Sequence, residues 1–146
     1  MNPLVLDDIC DEVSALFGLN EVDALGVGFP AVIGGVEVEL ICAGWADNHV
    51  VALLEVGALA EGKRETSFMK ALQLQGHDQL ALWAHFVIDP VNDRLMWCVN
   101  LPLRVDSDPK ALADVLTRLV EQVHVWRTEA FADLLVVDQP GSALVA

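Results

Sequence analysis

The stretch Gly34-Gly35-Val36-Glu37-Val38-Glu39-Leu40-Ile41-Cys42 decides the fold. Val36, Val38, Leu40 and Cys42 alternate with Glu37, Glu39 and Ile41, a period of two that predicts a half-buried strand. Gly34-Gly35 is a two-residue hairpin signal, joining that strand to a short one at Ala31, Val32 and Ile33. A third strand is predicted over 49–56. The chain therefore carries a hairpin and a third strand in its first half.

Working outward, the period on the N-terminal side is 3.6. Leu6, Ile9, Val13, Leu16 and Phe17 recur on one side of residues 4–17, which predicts an amphipathic helix ending near Gly18. Asp7, Asp8, Asp11 and Glu12 sit in its first turns and suit the positive end of the helix dipole. On the C-terminal side, residues 61–75 are good helix formers closed by Gly76. Residues 80–88 are apolar throughout and read as a strand covered on both faces. Asp89-Pro90-Val91-Asn92-Asp93 supplies turn residues, and 94–101 is the returning strand, with Trp83 and Trp97 on opposite arms of the hairpin. Asp108-Pro109 is an N-cap followed by proline at the first helical position. Leu112, Val115, Leu116, Leu119, Val123, Trp126 and Ala130 then carry the stripe of a last helix ending near Leu134. The fold class is α+β, in the order α-β-β-β-α-β-β-α, with a twisted antiparallel sheet and packed helices. Residues 1–135 are expected to form a single domain and 136–146 a flexible tail.

Composition bounds what such a domain does. The 146 residues suffice for one core without disulfides or metal, and 54% are hydrophobic at a mean hydropathy of +0.45. No run reaches the 18 or more apolar residues of a membrane span, because Glu55 and Glu61 break the longest stretch. The acidic start lacks the positive region of a signal peptide, so a cytoplasmic protein is expected. The formal net charge of -14 argues against nucleic acid and anionic membrane as partners. All eleven acids up to Glu61 precede the first base, Lys63, so the acidity belongs mainly to the N-terminal half.

The residues that carry chemistry elsewhere do not assemble here by spacing. Cys10, Cys42 and Cys98 are odd in number, far apart and set in apolar surroundings, as reduced core thiols are. His49, His77, His85 and His124 lack ligand spacing, so no metal or cofactor is expected. Gly26, Gly28 and Ala31 match a GxGxxA pattern, but no strand precedes it and Pro30 interrupts it, so it reads as a turn. There is no GxSxG and no cysteine paired with a base, and an enzyme is not expected. The positive clue is an excess of apolar surface, from the strands at 50–56 and 80–88 and three helix faces, which predicts burial between two copies of the chain. The expected dimer residues are Phe68, Leu72, Trp83, Phe86 and Trp97. A client surface is expected on the acidic half, from Phe29, Val32, Val38, Leu40, Trp45 and Val51, with Leu6 and Ile9 on the helix side. An apolar client segment would lie in a groove there or add to a sheet edge.

The order of elements and several local patterns resemble the class I type III secretion chaperones, the CesT or Tir chaperone family. The likeness spans most of 4–134. It rests on Leu16-Phe17-Gly18-Leu19, on Asp89-Pro90 with Asp93-Arg94, on Leu101-Pro102-Leu103 and on Val120-Glu121-Gln122-Val123-His124-Val125-Trp126-Arg127. The sequence departs from the family at 75–79, which lacks an Asn- and Gly-rich run, and is only loosely similar over 29–44. The resemblance implies a homodimeric, non-catalytic chaperone that keeps the N-terminal binding segment of a secreted effector soluble and export-competent without ATP. The competing expectation is an acidic inhibitor or immunity-type protein that occludes a basic partner surface.

Overall fold

The computed structural model describes residues 3–42, 49–77, 84–102 and 108–136. Its elements are α1 (Pro3–Leu16), a 3-10 turn (Glu21–Asp23), β1 (Ala31–Ile33), β2 (Val36–Cys42), β3 (His49–Ala58), α2 (Arg64–His77), β4 (Ala84–Asp89), β5 (Arg94–Pro102) and α3 (Pro109–Thr128). The five strands form one antiparallel sheet in the order β1-β2-β3-β5-β4. This is the α+β order that the alternation and the two helical periods imply.

Local chemistry accounts for the boundaries. Gly34 and Gly35 take φ of 56° and 81°, and two positive values in succession make the tight hairpin turn whose twist matches its strands. The end of α1 is a Schellman cap. Leu19 N–H donates to Ser14 O and Gly18 N–H to Ala15 O, with Gly18 at φ 69°. Asp108 caps α3, its carboxylate accepting the Lys110 N–H at 3.0 Å, with Pro109 in the first turn.

The core lies between the sheet and the pair α1 and α3. Leu6, Ile9, Cys10 and Val13 from α1, and Leu112, Leu116, Val120 and Val123 from α3, are buried against Val36, Val38, Leu40, Val50, Ala52, Leu54 and Leu101. An aromatic cluster closes the far end. The Trp97 and Trp126 rings meet edge to face with centroids 4.5 Å apart, and Phe86 lies 5.0 Å from Trp126 and 5.8 Å from Phe131. Phe86 and Trp97 are also direct cross-strand partners.

Three expectations are corrected. The first turn of α1 contains no acid, so Asp7, Asp8, Asp11 and Glu12 lie beyond the reach of the dipole. Asp7 instead tethers the loop after the 3-10 turn, accepting the Val27 N–H at 3.0 Å. The described part of the apolar run at 80–88 is not covered on both faces. β4 is a terminal strand, half-buried along most of its length. It is apolar because Phe86 and Ile88 pack on the core and because α2 guards its edge, where Gln75 Oε1 accepts the Phe86 N–H at 2.7 Å. Finally, α3 stops at Thr128 rather than near Leu134. Phe131 N–H turns back to Trp126 O, burying the Phe131 ring completely. Residues 134–136 then run beside the end of β3, with Ala60 N–H donating to Leu134 O and Val136 N–H to Ala58 O.

Candidate functional site

The residues expected to meet a client divide by strand parity. Leu6, Val38 and Leu40 are fully buried and Ile9 nearly so, which makes them core of the protomer. All four lie in the core between the sheet and the pair α1 and α3, where no partner reaches without opening the fold. Phe29 is 71% and Val32 60% exposed, while Val51 is half-buried on the opposite, helix-free face. Trp45 lies outside the described residues. Phe29 stands on a loop pinned to α1, since Ser14 Oγ accepts the Leu25 N–H at 2.9 Å and Asp7 holds Val27. That loop also lies beside β2, with Gly28 N–H donating to Leu40 O. β1 ends the sheet, so among the described residues one side of its backbone has no strand partner.

The expected dimer residues divide as well. Phe68 and Leu72 are exposed on α2, with Met69 beside them, while Ser67 and Ala71 turn inward. Arg64 stacks over the Phe68 ring at 5.6 Å and pairs with Asp93 at 3.6 Å. Trp97 is only 4% exposed and belongs to the protomer's own aromatic cluster, and Phe86 is half-buried in it. The expected interface residues Phe86 and Trp97 thus serve the inside of one chain. Trp83 lies outside the described residues.

Spacing does not reveal a pocket of ≈ 470 Å³ between the β1–β2 turn, the end of β3 and residues 132–136. Gly35 and Gly57 line it together with Val32, Glu37, Glu55, Arg94, Leu135 and Val136. Its back is Arg127 of α3. The pairing of β3 with β5 shifts between Glu55 and Gly57, a bulge that frees carbonyls from the ladder. Arg127 collects them, Nε donating to Val56 O at 2.6 Å and Nη2 to Glu55 O at 2.9 Å, with Nη1 reaching Gly35 O at 3.0 Å. His124, one turn earlier, bonds Gly34 O. Within the stretch Val120 to Arg127, His124 and Arg127 therefore clamp the hairpin, while Val120, Val123 and Trp126 face the core.

The two buried thiols are shifted away from the reactive thiolate form. Burial, reinforced by Asp7, Asp11 and Cys42, pushes the Cys10 thiol up to about 12, and burial also raises Cys98. Asp89 is held below the usual carboxylate range by the Val91 N–H first, then by Asn92 and Arg94. No three His, Cys, Asp or Glu side chains converge among the described residues as a metal site would require, and no described helix is long and apolar enough to cross a membrane.

No protein-family model matches the chain, and no curated protein does. Solved structures do. A chain of the ExsC–ExsE complex superposes with a TM-score of 0.65 at 14% identity, over 88% of this chain and 95% of that one. A chain of the HopA1–SchA chaperone–effector complex superposes with a TM-score of 0.55 at 13% identity, over 86% and 95% respectively. The chain thus has the type III secretion chaperone fold, and at these identities the likeness establishes the fold.

Proposed function

We propose that this chain is a non-catalytic, cytoplasmic chaperone that acts as a homodimer and binds the N-terminal segment of a type III secreted effector, keeping it soluble and fit for export. The observation that carries the reading is the fold, shared over most of both chains with a protein from a chaperone–effector complex. Two surface features support it. Phe29 and Val32 offer exposed apolar side chains next to the edge of β1 that has no strand partner among the described residues, the combination that an extended apolar client recognises through side chains and backbone together. Phe68, Met69 and Leu72 form an apolar stripe on α2 that a second copy of the chain would cover.

Capture on the tagged protein from native cytosol, with the bound chains identified by mass spectrometry, tests the reading. A secreted effector retained by the wild type, and lost with Phe29→Asp or Val32→Asp while the melting temperature holds, is the expected result. A toxin retained instead would replace the chaperone by the immunity reading. Light scattering at micromolar concentration should give twice the chain mass, and Leu72→Asp should return it to one. A wild-type monomer would remove the dimer from the proposal.

A further inference from the structure

We infer that the pocket beside the β1–β2 turn takes the cationic side chain, arginine or lysine, of a partner segment. This deepens the chaperone reading and rests on it. The argument starts from register. Val38 faces Leu54 across β2 and β3, so the next step along the strands sets Glu37 beside Glu55, and Val32 faces Glu37 from β1. Like charges directly opposite on one sheet face are unfavourable unless neutralised. Arg94 neutralises Glu55 at 3.2 Å. Glu37, half-exposed at the pocket wall, belongs to no ion pair among the described residues. Arg127, at the back of the pocket, donates hydrogen bonds to the carbonyls of Val56, Glu55 and Gly35.

The remaining walls suit an aliphatic stem. Val32, Leu135 and Val136 flank the opening, and a long basic side chain lays its methylenes along such residues while its charged end seeks a carboxylate. A strand added to the edge of β1 that is unpaired among the described residues projects every second side chain onto the same face as Val32 and Glu37, so one of them is directed across Val32 to Glu37. The formal charge of -14 draws a basic segment to the chain in the first place.

The test uses amide spectra of the isotope-labelled full chain titrated with an acetylated Val-Arg-Val-Arg-Val peptide. The counterparts carry citrulline, arginine's uncharged analogue, or glutamate in place of arginine. The arginine peptide should shift the Gly35 and Gly57 amides saturably, with affinity falling about three- to fivefold for the citrulline peptide and for Glu37→Gln. The glutamate peptide should leave both amides in place. Equal binding by the citrulline or glutamate peptide, wild-type affinity in Glu37→Gln, or unmoved Gly35 and Gly57 signals overturns the proposal. The captured client is then measured on Glu37→Gln. Unchanged affinity there removes the pocket and leaves the chaperone reading standing, whereas peptide binding by a chain that captures no client removes the chaperone reading and leaves the pocket.

Discussion

The two faces of the sheet are built from the same strands and behave as different materials. On the face turned to α1 and α3, Val36, Val38, Leu40, Val50, Ala52, Leu54, Trp97 and Leu101 are buried. On the other face Cys98 is buried, Glu37, Glu39, Val51, Leu53, Glu55, Met96 and Asn100 are half-buried, and Ile41 is exposed. The difference is one step of register, because successive side chains of a strand point to opposite sides. Stability lives on the first face. The second face and the edges are where side chains stay accessible, and the most exposed of them, such as Phe29 and Val32, can change with little effect on folding.

The largest effect that tests this division is expected at Phe131. Its ring is fully buried against Phe86, and Phe131→Ala should cost about 3–5 kcal/mol, read as a lower urea midpoint with an unchanged slope. A loss below about 1 kcal/mol would mean that the turns after α3 are not part of the core. Next comes Arg127→Ala, which strands three backbone carbonyls and should cost about 1–3 kcal/mol. Arg127→Lys should recover little of it, because an ammonium lacks the planar fork that spans all three. Full recovery by lysine would show that charge alone holds the clamp.

Cys10 sharpens the comparison through pH. Its ordinary value of 9.0 is raised to about 12 in the folded chain, chiefly by burial. Below pH 9 the thiol is protonated in both states and folding carries no penalty. Between 9 and about 12 the unfolded chain releases the proton while the folded chain holds it, so stability declines with rising pH. Relative to Cys10→Ala, the wild type should lose stability across that window, and parallel profiles would show that the thiol is not shielded. The smallest effect belongs to the outer surface. Phe29→Ser and Val32→Ser should each shift unfolding by no more than about 0.5 kcal/mol. A larger loss at either would place that side chain in the core instead of at an interface.

Much of this organisation was legible in the sequence. Alternation from Val36 to Cys42, the Gly-Gly turn, the glycine stop at Gly18 and the Asp-Pro start of α3 each act within a few residues, so they mark helix, strand and turn directly. Parity even contained the division of faces. Placing Val38 and Leu40 on one surface with Val51 runs against it, since Leu40 pairs with Ala52 and Val51 lies opposite Ile41. Hydrophobicity read without register does not say which side a residue takes.

What only the tertiary structure decided depends on residues distant in the chain. That β4 is an edge guarded by Gln75, that α3 gives way to turns burying Phe131, and that Arg127 gathers carbonyls from β1–β2 and β3 are all outcomes of packing. An apolar strand looks the same to local patterning whether a second sheet, a helix or another chain covers it. The pocket by Glu37 has the same origin, assembled from a turn, a bulge and the segment after α3. Local sequence sets backbone conformation through sterics and hydrogen bonds over a few residues. The location of a cavity depends on which distant surfaces exclude water together, and that is settled only when the chain closes on itself.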